Sequence, residues 1–232
     1  MKKAFTMMEL IFVILVIGIL VAVVIPRTGS NKLQEAATQV VSHIRYTQHL
    51  AIVDDKFDLS DNNWYKERWT IRFKKDLVFD GSYVPNGTYA DEWAYTIYSD
   101  NSKDGNPNPS EMAINPLNTD QYLSGGYNNT LHVEDSKSMK ELRLGTTYNI
   151  NNVAFSSGCR SNILYINFDH LGRPFNSFVT SSAYETASPG WHKLLTSRCV
   201  IALSSNEGSI SIGIEPETGY SCILDDTTNE CI

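Results

Sequence analysis

"MKKAFTMMELIFVILVIGILVAVVIP", residues 1–26, is the stretch from which the rest of the chain is best read. Lys2 and Lys3 precede an apolar run, and from Phe5 to Ile25 the only charged side chain is Glu9. An ionised carboxylate within a membrane helix costs roughly 2.5–3.5 kcal/mol on the milder scales unless something pairs with it. A secretory signal peptide has a shorter apolar core followed by a small-residue cleavage site. Here the run is longer and ends in Ile25-Pro26-Arg27. A plain transmembrane anchor needs about 20 apolar residues, which are present, but it leaves Glu9 without a partner.

A third reading supplies that partner. Basic residues, then Ala4, then Phe5-Thr6-Met7-Met8-Glu9-Leu10 and an unbroken apolar stretch closely resemble the class III signal of type IV prepilins and type II secretion pseudopilins. The resemblance implies that a prepilin peptidase cuts between Ala4 and Phe5, methylates the new amine of Phe5, and leaves the apolar helix on the mature subunit. It also implies that Glu9 pairs with the N-terminal amine of a neighbouring subunit during assembly. One departure stands out: the family usually has glycine before the cut. Alanine is the mildest replacement, so cleavage is expected, at a reduced rate. Gly18 and Pro26 match positions that bound the part of the family's helix able to bend or unwind. Both residue types are also common in membrane helices generally, and proline kinks any helix it interrupts.

Past the proline, apolar and polar residues alternate with helical spacing. Leu33, Ala37, Val40, Ile44 and Ala51 share one face, and Gln34, Gln39, Ser42, Arg45 and Gln48 take the other. The expectation is a membrane helix that continues as an amphipathic stem to Val53, in all about 73 Å long. His43 and His49 lie on this stem and are expected to be solvated or interfacial. The chain then divides into a leader (1–4), a transmembrane and assembly helix (5–29), a stem helix (30–53) and a globular β-rich head (54–232).

In the head, strands are expected over Trp64 to Lys75, Trp93 to Ser99, Asn162 to Phe168, Ser177 to Thr180, Val200 to Ser204 and Ser209 to Ile214. Turn residues from Ser204 to Gly208 predict a hairpin between the last two. Asp100 to Asn129 is rich in Asn, Pro, Gly and Ser and reads as a long loop. The fold class is α+β, with an antiparallel sheet packed on the outer half of a long N-terminal helix. "LYINFDHLGRPF" and "CVIALSSNEGSISIGIEPETGY" are similar to the C-terminal half of H-type minor pseudopilins, although Gly172 and Pro174 would make a turn in any β protein. The large head and its long loop favour a minor subunit over a major one.

Cys159, Cys199, Cys222 and Cys231 show none of the close paired spacing of a zinc site. Beside a membrane-targeting N-terminus they read as disulfides made in an oxidising compartment. The short separation of Cys222 and Cys231 suits a local loop closure, which by elimination leaves Cys159 with Cys199; four cysteines allow three pairings. In "DNSKDGNPNPSE" the residues Asp100, Ser102, Asp104, Asn106, Asn108 and Glu111 fall at the ligand positions of a calcium loop, with Gly105 at its sharp turn. Pro107, Pro109 and Pro116 discourage the exit helix of an EF-hand, and solvated loops of this composition are common. A calcium bound there would be structural; no other cofactor is expected.

A net charge of −7 argues against nucleic acid as a main partner. Catalytic motifs are absent: there is no H-E-x-x-H, no G-x-S-x-G and no phosphate-cradling glycine loop, and Asp169-His170 reads as a surface pair. The expected function is therefore structural and non-enzymatic. The chain would be a filament-forming subunit, a minor pseudopilin of a type II secretion system or a minor type IV pilin. It would sit in the bacterial inner membrane with its head in the periplasm before assembly, and its partners would be prepilin peptidase and other pilin subunits. The alternative is a membrane-tethered periplasmic ligand-binding protein with a calcium-stabilised loop, for which cleavage at Ala4 is unnecessary.

Overall fold

Nothing in the sequence between Met7 and Val24 breaks a helix, and these residues form α1 (Met7–Val24). The computed structural model describes residues 6–24, 32–75, 92–127, 130–176, 186–187, 191–192 and 194–232. The chain separates into two units, Met1–Asn31 and Lys32–Ile232. In the first unit, the 18 residues of α1 come to about 27 Å, just under the roughly 30 Å of a bilayer's hydrocarbon core. Among the described residues no helix is long and apolar enough to cross a membrane. The expected join between membrane helix and stem, with Pro26, lies outside the described residues, as do Ala4 and Phe5.

The second unit opens with α2 (Lys32–Val53), whose buried residues are Ala36, Ala37, Val40, Val41, Ile44, Thr47 and Ala51. This stripe is wider than the single face read from the sequence, and the reason is architectural. Two antiparallel sheets stand where one was expected, and α2 packs against strands of both. The small side chains of Ala36, Ala37 and Ala51 allow close approach on either side. The remaining elements are β1 (Trp69–Lys75), β2 (Trp93–Ser99), α3 (Leu144–Tyr148), β3 (Ile150–Ser157), β4 (Tyr165–Phe168), β5 (Pro174–Phe175), β6 (Thr186–Ala187), β7 (Trp191–His192), β8 (Cys199–Ser205), β9 (Gly208–Ile214) and β10 (Ser221–Leu224).

One sheet runs β2-β1-β4-β5 and the other β10-β9-β8-β3, with β6 and β7 forming a small separate pair. Their inward residues, among them Ile71, Phe73, Tyr95, Ile97, Ile166, Phe155, Ile201, Leu203 and Ile212, join the α2 stripe in one core. The β8–β9 hairpin closes as expected, with Ser205 opposite Gly208. β1 begins later than expected because Trp64 and Tyr65 are adjacent and both buried, which the side-to-side alternation of a half-buried strand does not permit. They form a 3₁₀ turn, Trp64–Glu67, instead. β3 was hidden from pattern reading by a register shift between Ile150 and Asn152, which sets two exposed asparagines side by side. β4 is shorter than expected, and the strand expected at 177–180 lies outside the described residues.

All seven residues of β2 are buried. One face looks into the core. Along its outer edge β2 is paired by the segment expected to be a loop, through bridges Thr96–Ser124 and Tyr98–Met112, and by Arg143 further along the chain through the bridge Ala94–Arg143. That segment is irregular yet carries its own buried residues, Met112, Ala113, Leu123 and Tyr127, and Leu131 and Val133 just beyond it are buried too. It shields a strand that would otherwise present an open sheet edge.

Candidate functional site

At the start of α1, Thr6 and Glu9 cap each other. Glu9 Oε2 accepts hydrogen bonds from the Thr6 backbone N–H and hydroxyl, both at 2.9 Å, while the Glu9 N–H donates to Thr6 Oγ1 at 3.3 Å. This is a reciprocal capping box, which satisfies amides that a helix start leaves unpaired. The sequence carries its signal as T-x-x-E, Thr6 to Glu9. Both capping bonds fall on Oε2; among the described residues Oε1 accepts none.

Downstream of Glu9, α1 is apolar on every side. Leu10, Ile11, Phe12, Ile14, Leu15, Ile17, Ile19 and Leu20 are all more than half exposed, so no face is set apart as polar. A helix of this kind requires an apolar surrounding, either lipid or other helices. Gly18 leaves open space: a Cβ added there would meet nothing within 4 Å.

The polar face of α2 anchors the head. Gln39 Nε2 donates to Glu141 O, both Arg45 Nε and Nη2 donate to Ser221 O, and Gln48 Nε2 donates to Gly172 O and Thr218 O. Of the two stem histidines, His43 is half-buried at the interface with β2 and His49 is exposed. The Asp169-His170 pair also differs from expectation, because Asp169 is buried. It accepts the Leu171 and Arg173 amides and pairs with the Arg173 guanidinium at 2.7 Å, which closes the turn after β4. Gly172 sits there at φ +77, a conformation that favours glycine. Asp169 thus holds a turn.

The residues of the expected cation loop do come together. Asp100 is buried and accepts the amides of Asp104 and Gly105 at 3.1 and 2.8 Å. Glu111 accepts the amides of Ser102 and Asn108 at 2.6 and 2.9 Å, and Asn106 N–H donates to Asp104. Asn108 Nδ2 reaches Ser102, Asp104 and Glu111. Burial, and then the neighbouring Glu111 and Asp104 charges, push the Asp100 carboxyl upward from its ordinary value. Much of the acceptor capacity of these carboxylates is thus committed to the loop's own amides. Among the described residues no group of three or more His, Cys, Asp or Glu is arranged to hold a metal ion. Lys103, at the loop's tip, bridges to Asp61 and Glu67 and ties it to the segment after α2.

Both disulfides are present, Cys159–Cys199 and Cys222–Cys231. The first ties the turn after β3 to the start of β8 within the core, and the second closes the C-terminal tail onto β10. Compared with known proteins, the chain matches no family model, no curated protein and no solved structure.

Proposed function

We propose that this chain is a filament-forming subunit of the type IV pilus and type II secretion class, cleaved between Ala4 and Phe5 and assembled through its N-terminal helix. The observation that carries the reading is the character of α1: apolar side chains exposed all round, interrupted by one carboxylate at the end where the signal would be cut. In the membrane the helix is covered by lipid. In the filament it is covered by other helices, which exchanges lipid contacts for packing. The capping box holds Glu9 in place by Oε2, among the described residues Oε1 accepts no hydrogen bond and is the oxygen offered to a neighbour's amine, and pairing makes both charges cheaper in low dielectric. That contact would set the register between subunits.

The apolar run of the sequence, Phe5 to Ile25, is longer than α1 and as a helix would reach about 31 Å, enough to span the hydrocarbon core. Two disulfides accord with a head on the oxidising side of the inner membrane. The head's size and the folded segment over β2 favour a minor subunit. The deciding experiment is the mass of the N-terminal peptide from protein taken out of native membranes. A peptide beginning at methylated Phe5 is expected. An intact Met1 start, with an active prepilin peptidase present, would overturn the reading and favour a tethered periplasmic protein.

A further inference from the structure

A cavity of about 530 Å³ opens on the head beside the short 3₁₀ turn Lys140–Leu142. This volume lies within the range of about 300–1,000 Å³ typical of ligand sites. Its lining is polar and includes Arg143, Lys140, Ser138, Glu134, Asp135 and Glu141. Arg143 is only 6% exposed, and its Nε is out of solvent with no hydrogen-bond partner. Among the described residues its guanidinium has no ion-pair partner either. It has little freedom to move to water: Leu142 and Leu144 on either side are fully buried, its N–H donates to Lys140 O, and its backbone bridges to Ala94 in β2. A guanidinium nitrogen buried without a hydrogen-bond partner is costly, and native structures rarely leave one in that state.

We propose that this cavity binds a monocarboxylate that also carries N–H or O–H donors, with Arg143 holding the carboxylate. The planar guanidinium fork matches a carboxylate with two parallel hydrogen bonds. Three carboxylates, Glu134, Asp135 and Glu141, face two cations in the lining, so a phosphate dianion would be repelled. The same carboxylates and the Ser138 hydroxyl offer acceptors to an ammonium or hydroxyl group. Asp135 commits Oδ1 to the Lys137 amide, and among the described residues its other oxygen accepts no hydrogen bond. A short peptide and an acidic sugar share this chemistry. The proposal stands independently of whether the chain assembles into a filament.

The test is calorimetric titration of the full chain, purified in detergent, with glycylglycine, D-galacturonate and inorganic phosphate in separate runs. Saturable binding of at least one of the first two, without binding of phosphate, is expected. Binding of glycylglycine alone assigns a peptide ligand, and of galacturonate alone an acidic sugar. Arg143→Lys should weaken binding about tenfold, because a point charge replaces the fork, and Arg143→Met should abolish it. Ser136→Trp, on the exposed rim, should also reduce binding without altering the buried arginine, and covers the case in which Arg143→Met does not fold. The proposal is overturned if neither carboxylate binds saturably, if phosphate binds as well as they do, or if folded Arg143→Met binds like the parent.

Discussion

His43 Nδ1 on α2 lies 2.7 Å from the Tyr95 hydroxyl on β2. Tyr95 is fully buried, and desolvation holds its phenol well above the ordinary value, so the hydroxyl keeps its proton and hydrogen-bonds to the neutral imidazole. Burial lowers His43 from 6.5 to about 4. The unfolded chain therefore takes up a proton at His43 near pH 6.5, and the folded head only near pH 4. Above that window His43 adds no pH dependence. Within it, stability falls as pH falls, by about 1.4 kcal/mol per unit and roughly 3 kcal/mol in all. Urea unfolding at about pH 7.5 and about pH 4.5 should show this loss in the parent and a smaller one in His43→Gln; equal losses would remove His43 as the cause.

Glu9 and Thr6 separate two roles that overlap at the start of α1. Glu9→Ala should insert into membranes normally yet be recovered poorly in sheared filaments, since it loses both the cap and the proposed inter-subunit contact. Thr6→Val loses only the cap, a cost of about 1 kcal/mol to the helix, and should be incorporated better than Glu9→Ala. Parent-like incorporation of Glu9→Ala would reduce Glu9 to a capping residue.

The disulfides close chain segments of unequal length, 40 and 9 residues apart. On the chain-entropy argument, replacing Cys159 and Cys199 together by alanine should cost about 4 kcal/mol, and replacing Cys222 and Cys231 about 2.5 kcal/mol. The shift of the guanidinium midpoint in the two double variants measures the difference. The opposite ranking would show that the core around Cys159 tolerates the break.

Gly158 lies where two backbones meet. Its N–H donates to Arg198 O at 2.8 Å, and a Cβ added there would sit 2.1 Å from Ser197 O and 2.8 Å from Arg198 O. Because the obstacle is main chain, no side chain can turn aside to relieve it. Gly158→Ala should therefore cost at least about 1–3 kcal/mol, as for other overpacked sites. By contrast, Gly18→Ala meets nothing and should leave α1 intact or slightly more stable, by up to about 1 kcal/mol. Thermal unfolding of the first variant and helicity of the second would check this pair.

Several elements were legible because their cause lies within a few residues of them. The apolar run of α1, the spacing of Leu33, Ala37, Val40 and Ile44 in α2, and the turn residues between β8 and β9 each specify a local period or bend. Even the capping box was written in Thr6 and Glu9. The nearness of Cys222 to Cys231 anticipated their pairing. β3 was hidden where a bulge broke its alternation, and Trp64-Tyr65 read as strand because both are good strand formers, although their burial required a turn.

From the sequence alone came the apolar helix with its single carboxylate, the amphipathic stem, the β-rich head and the cysteine framework, since hydrophobic period and turn chemistry are local properties of the chain. Tertiary structure decided the rest: two sheets around α2, an irregular segment folded over β2, a neutral His43 against Tyr95, and Arg143 enclosed beside a cavity. Each of these depends on which apolar strands and segments meet across long separations in sequence. Many pairings would bury similar apolar area, and only the assembled core selects among them and fixes which polar groups are enclosed with it.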